Sequence, residues 1–249
     1  MYFSLVSDII SYMGRPLRVQ NGGLVYHAMN RSCGRFRLFK KPGDYLAFLR
    51  VMAEAQPRTE MRILGFCVMP NHWHMLLWPR RDGDLVEFMR WLSVTHSKRY
   101  RAAHNSVGLG HLYGGRYKSF PVEQDQPTAD MRSRGVVQRA SSVQAVLRYI
   151  ERNPLKAQLV DRAEDWPYGS LFMRNQSEPA IDICPLDMPL PDNWTDMVNQ
   201  PISQKELKAL RTSLQRSSPF GRPEWAEKSA QNLHLESTLK PIGRPKNKG

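Results

Sequence analysis

The chain has 249 residues, 41% of them hydrophobic, which is enough for a buried core and excludes wholesale disorder. Its net charge of +13 calls for a polyanionic partner, and nucleic acid is the commonest one. Cys33, Cys67 and Cys184 are too few and too scattered for a disulfide framework or a cysteine zinc site, and no apolar run approaches membrane-spanning length, so a reducing cytoplasm and no membrane are expected.

Residues 1–12 lack a basic n-region and a cleavage site, and Met13-Gly-Arg-Pro reads as a more natural start, which makes 1–12 an N-terminal extension. Leu24 to Asn30 reads as a strand. Gly43 to Ala55 reads as a helix, with Tyr45, Leu46, Phe48, Leu49 and Met52 at helical spacing. Met61 to Met69 and His72 to Trp78 are two apolar strands around a Met69-Pro70-Asn71 turn. Asp84 caps a helix to about His104, a glycine-rich loop spans Gly108 to Gly115, and Tyr117 to Glu123 forms a last strand. The order strand, helix, strand, strand, helix, strand predicts an α+β, ferredoxin-like antiparallel sheet with helices on one face.

Gln124 to Ser142 has no period and reads as a loop; Ser142 then caps a helix striped by Val143, Val146, Leu147 and Ile150. The expected division is a catalytic domain over 13–175, a Pro-rich linker over 176–203, and a short helical extension with a basic tail over 204–249.

The chemistry begins at His72-Trp73-His74. Side chains alternate along a strand, so the two histidines share one face and Trp73 takes the other. Two imidazoles on one rigid face are half a metal site, although two ordinary strand histidines would give the same spacing. Tyr149 and Asn153 are four apart on the later helix and so share a face; an Asn oxygen suits Mg²⁺ or Mn²⁺, and Pro154 bends or ends the helix there. An unremarkable half-buried Tyr with an Asn at a helix end is the alternative.

Charge is concentrated. From Phe88 to Val122 there is no Asp or Glu, while Arg90, Lys98, Arg99, Arg101, Arg116 and Lys118 all occur. Arg116 and Lys118 flank Tyr117 on the glycine-rich approach, where Tyr117 either stacks on a base or faces the core. Gly14-Arg15-Pro16 and Gly243-Arg244-Pro245-Lys246 are similar to the short Gly-Arg-Pro element of minor-groove arms, which makes Arg15, Arg244 and Lys246 candidate DNA contacts; a solvated tail is the plain reading.

Met69-Pro-Asn-His-Trp-His resembles the metal motif of HUH single-strand nucleases. Gly110-His-Leu-Tyr-Gly-Gly-Arg-Tyr-Lys-Ser-Phe-Pro-Val and Tyr149-Ile-Glu-Arg-Asn-Pro-Leu-Lys-Ala resemble the REP-associated tyrosine transposases of the IS200-like transposase superfamily, as does Met13-Gly-Arg-Pro-Leu-Arg. The resemblance implies His72 and His74 as ligands of a divalent Mg²⁺ or Mn²⁺, Asn153 as third ligand and Tyr149 as nucleophile. It also implies cleavage and strand transfer of single-stranded DNA at palindromic, hairpin-forming repeats through a covalent 5′-phosphotyrosine, by a monomer or homodimer in the bacterial cytoplasm, at the nucleoid. Two departures stand out: Pro127 to Ser142 is longer than the family usually has, and Asn153 stands where related transposases often use Gln. A DNA- or RNA-binding regulator without catalysis, and a phosphodiesterase that uses water, are the competing readings.

Overall fold

The structure, a computed structural model, describes residues 21–124 and 141–240. The 1–12 extension, most of the 127–142 insertion, and the arm residues Arg15, Arg244 and Lys246 lie outside the described residues. Strand β1 (Val25–Arg31), helix α1 (Pro42–Ala55), strands β2 (Arg62–Met69) and β3 (His72–Trp78), helix α2 (Asp84–Ala103) and strand β4 (Lys118–Val122) follow the expected order. The strands form one antiparallel sheet in the order β2-β3-β1-β4, the ferredoxin-like arrangement.

Period-two alternation gives the sheet two dissimilar faces. Tyr26, Ala28, Phe66, Val68, Trp73, Met75 and Leu77 turn to α1 and α2, where they meet Phe48, Met52, Phe88 and Leu92. Val25, Leu64, Cys67, Leu76, Phe120 and Val122 turn the other way, with His27, His72 and His74 among them, and are covered by helix α3 (Ser142–Glu151) through Val143, Val146, Leu147 and Ile150. The two crossover helices therefore lie on one face, as expected, and the tyrosine-bearing helix lies on the opposite one.

Helix α3 is capped by Ser141, one residue before the Ser142 read from the sequence: Ser141 Oγ accepts from Gln144 N at 3.0 Å, and Gln144 Oε1 accepts from Ser141 N at 3.4 Å. Its close seat on the sheet depends on Gly65, where a Cβ would collide with Leu147 Cδ1 and press on Ser170 Oγ. The helix ends before Pro154, and a single turn, α4 (Asn153–Lys156), continues from it.

Residues beyond α4 are fastened to this second face. Glu151 is buried and receives Ser170 Oγ at 2.5 Å, Trp194 Nε1 at 2.7 Å and the Arg174 guanidinium. Those donors come from α5 (Ser170–Met173) and its end, and from α6 (Trp194–Asn199). The Pro-rich stretch expected as a linker is packed instead: Cys184 N donates to Ile63 O at 2.8 Å, and Ile181 and Trp194 are buried. Apolar residues spaced between its prolines supply the contacts. Helices α7 (Gln204–Arg216), α8 (Pro223–Asn232) and α9 (Glu236–Leu239) follow. Phe220 bonds along the outer edge of β4, and Arg222 Nε donates to the buried Glu123 at 2.8 Å, so that edge is covered.

Candidate functional site

The candidate site lies on the α3 face of the sheet, toward the end of β3 nearest the Pro70-Asn71 turn. His72 stands opposite Arg31 of β1, and His74 opposite Met29. The imidazole centroids of His72 and His74 are 5.0 Å apart, with their planes nearly perpendicular. Tyr149 on α3 meets His74 edge-on at 5.7 Å between centroids. The structure thus brings Tyr149 to the histidine pair, with His74 and Tyr149 75 positions apart in the chain.

Each histidine has its Nδ1 occupied. His72 Nδ1 pairs with Asn71 Oδ1 at 2.6 Å. That amide oxygen can only accept, and Asn71 Nδ2 donates elsewhere, to Arg35 O at 3.2 Å. His72 therefore carries its proton on Nδ1 and keeps a lone pair on Nε2. His74 Nδ1 pairs with Nε2 of His27 at 2.9 Å, again leaving Nε2. Burial, aided by the Arg31 charge, pushes His72 down to about 4, and burial with the charges of His27, His72 and Arg31 holds His74 well below the usual imidazole range. Both rings are neutral near pH 7, the form that binds metal.

Among the described residues, no cluster of three or more His, Cys, Asp or Glu side chains is arranged to hold a metal ion. Two neutral imidazoles, each with an Nε2 outside these pairings, suit a divalent cation only if oxygen donors from an amide, water or substrate complete its shell. Asn153 is a coherent amide candidate. Pro154 has no N–H to give the Ile150 carbonyl, and Asn153 Nδ2 serves it instead at 3.2 Å, while also donating to Tyr149 O at 2.9 Å. With its nitrogen so committed, the amide's remaining polar atom is the acceptor Oδ1.

Tyr149 is half-buried, and burial raises its phenol above the usual range; the positive charges of Arg211 and Arg31 pull the other way. The Lys156 ammonium lies 6.0 Å from the same ring. Arg31 is half-buried, with an Nε that has no hydrogen-bond partner. His27, Arg31, Lys156 and Arg211 were not singled out from the sequence. A faint signal existed for two of them: His27 and Arg31 share the period-two face of β1, and β1 is one strand from the histidine pair.

The other expected nucleic-acid contacts divide. Arg116 and Lys118 are exposed, and Lys118 lies opposite Met29, on the histidine face of β4. Tyr117 corrects the stacking idea: its ring is buried with the α1/α2 core, so the core-facing alternative holds and no base can lie on it here. Much of the basic stretch is spent on structure. Arg99 pairs with Glu54, and Arg101 donates to the carbonyls of Leu109 and Gly110. The glycine-rich loop is moored through Tyr113, whose hydroxyl receives Trp73 Nε1 at 3.2 Å and meets His96 Nδ1 at 2.8 Å.

Residues 21–133 match the family described as transposase IS200-like. The match includes His72 and His74 and ends before Tyr149. Among solved structures, that of a REP-associated tyrosine transposase bound to a REP hairpin is similar at 19% identity, covering 77% of this chain and 96% of the other, with a TM-score of 0.47. A candidate transposase from Deinococcus radiodurans R1 is similar at 16% identity over 49% of this chain and 95% of the other, with a TM-score of 0.35. No curated protein matches the chain. Among the described residues, no helix is long and apolar enough to cross a membrane.

Proposed function

We propose, from the match of residues 21–133 to the IS200-like transposase family, that the chain cleaves and rejoins single-stranded DNA at palindromic, hairpin-forming repeats, with Tyr149 as nucleophile. The observation that carries this reading is the Tyr149 ring set edge-on against His74, 5.7 Å away. A structural tyrosine has no need of a neutral histidine pair beside it.

His72 and His74 would hold a divalent Mg²⁺ or Mn²⁺ through Nε2, with Asn153 Oδ1 as the proposed oxygen ligand. Such an ion, when bound, supplies Lewis-acid polarisation of a non-bridging phosphate oxygen. Arg31, Lys156 and Arg211 would neutralise the scissile phosphate and its neighbours, and Arg116 and Lys118 the flanking strand. Tyr149 Oη then attacks phosphorus. The P–Oη bond forms, the P–O3′ bond breaks, the phenol proton passes to water, and the departing 3′ oxygen ends as a hydroxyl. The phosphotyrosine keeps the energy of the broken diester, so the reverse attack by a 3′-hydroxyl reseals or transfers the strand. The Arg31 and Arg211 charges favour the phenolate against the burial that opposes it.

The test is incubation of the protein with a labelled single strand bearing a palindromic hairpin, with Mn²⁺, followed by a denaturing gel. Wild type should give a covalent protein–DNA band, and Tyr149→Phe, which keeps the ring, should give none. A covalent band in Tyr149→Phe moves the nucleophile elsewhere. Cleavage by wild type without a band favours the water-using phosphodiesterase, and binding without either product favours a non-catalytic regulator.

A further inference from the structure

The third histidine of the site, His27, has no role in the reading above. It is 1% exposed, on β1, and its Nε2 lies 2.9 Å from Nδ1 of His74, itself 2% exposed. Phe120 packs on its ring at 4.8 Å between centroids. Its own Nδ1 is buried and has no hydrogen-bond partner. A buried imidazole with one nitrogen given wholly to a second imidazole, and the other given to nothing, is expensive as mere packing; Phe or Leu would fill the same space without an orphaned polar atom.

The chemistry of the pair gives it a purpose. The bond needs one proton, from one ring or the other. If His27 Nε2 carries it, His74 Nδ1 is the acceptor, His74 keeps its proton on Nε2, and that atom is closed to a metal. If His74 Nδ1 carries it, His27 Nε2 is the acceptor and His74 Nε2 presents a lone pair. His27 then holds its own proton on the orphaned Nδ1. We infer that His27 is a positioning residue, whose Nε2 accepts the Nδ1 proton of His74 and so fixes that ring with Nε2 open to the metal. Asn71 does the same for His72 with its amide oxygen, 2.6 Å from Nδ1. The two ligands are thus oriented from different sides, one by a turn residue and one by a buried strand residue.

The inference rests on the metal-dependent reading, and the experiment separates the two. Mn²⁺ affinity is measured by titration with the metal alone, without DNA, on wild type, His27→Phe and His27→Gln. Phe keeps a ring and removes the acceptor; Gln returns a carbonyl oxygen near the lost Nε2. Losing such an oriented partner should weaken Mn²⁺ by roughly 10–100-fold in His27→Phe, with most of the affinity restored in His27→Gln. Equal affinity in wild type and His27→Phe overturns the assignment and leaves the metal reading intact. No Mn²⁺ binding by wild type overturns both. Should His27→Phe fail to fold, wild type decides by nitrogen-15 spectra of its histidine rings loaded with Zn²⁺, a diamagnetic probe. The expected signature is His74 bound through Nε2 with a proton on Nδ1, and His27 protonated on Nδ1. His74 bound through Nδ1, or unbound, overturns the inference.

Discussion

The two faces of the sheet follow different rules. Toward α1 and α2, strand residues are mostly apolar or aromatic, and Trp73, Tyr113 and His96 pair their polar atoms in a chain. Toward α3, the same strands bury His27 and His74 and hold Arg31 with an unpartnered Nε. The first face is built for stability. The second carries polar groups that cost free energy until something binds them, which is what a site for a cation and a polyanion requires. Neighbours in sequence therefore differ sharply: Trp73 and His74 are adjacent, both buried, and belong to opposite sides of this division.

Substitution of that adjacent pair is the strongest way to break the comparison. Trp73→Ala should destabilise the fold by about 3–5 kcal/mol, since it opens a large cavity and strips the Tyr113 hydroxyl of a donor. Chemical denaturation measures this, and a loss below about 1 kcal/mol would mean that the face is not the stabilising one. His72→Ala and His74→Ala should both abolish Mn²⁺ binding in calorimetry, with His74→Ala lowering the melting temperature more because His74 is fully buried and bonded to His27.

Acid should come next in effect, and it acts on both faces. Burial pushes His27 and His96 down to about 3, and His72 to about 4. Their folded values lie below the ordinary unfolded value near 6.5, so the unfolded chain takes up more protons as pH falls. The stabilisation is complete above about 6.5 and is lost as pH falls toward 4, at up to about 1.4 kcal/mol per pH unit for each group. Denaturation midpoints measured from pH 7 to 4 should fall steadily; a flat profile would show that these rings are charged or exposed. The smallest effect belongs to the cations. Arg31→Gln and Lys156→Gln should leave melting unchanged and each reduce the salt slope of single-strand binding by about 0.7, the share of one phosphate. Unaltered slopes would place the strand elsewhere.

The sequence reveals the first face and half of the second. Strand order, both crossover helices and the shared face of His72 and His74 follow from local period and turn chemistry, which act over a few residues. His27 is hidden for a physical reason. A lone histidine inside Val25-Tyr-His-Ala-Met looks like any core residue until the register of β1 on β3 is known, and register is a long-range property. The same reason conceals Arg211, which reaches Tyr149 from a helix more than 60 residues further along. Tyr117 and the Pro-rich stretch mislead for the opposite reason. Their composition is that of exposed chain, yet sparse apolar residues within them are what the fold buries.

Helix α3 carries Arg148 and is capped at its C-terminal end by Arg152, and in a basic protein both invite assignment to DNA. Arg148 Nε donates instead to Met197 O at 2.6 Å, and Arg152 Nη1 to Val198 O at 2.9 Å, so both guanidiniums satisfy the final carbonyls of α6. The consequence concerns the smallest autonomous unit. A fragment cut at residue 175, where composition suggests a boundary, would leave two arginines without acceptors and Glu151 without its indole donor. The helix that bears Tyr149 would then lose these contacts with α6. The contacts that seat α3 thus extend through Asn199 at least, far beyond the segment 21–133 that matches the transposase family.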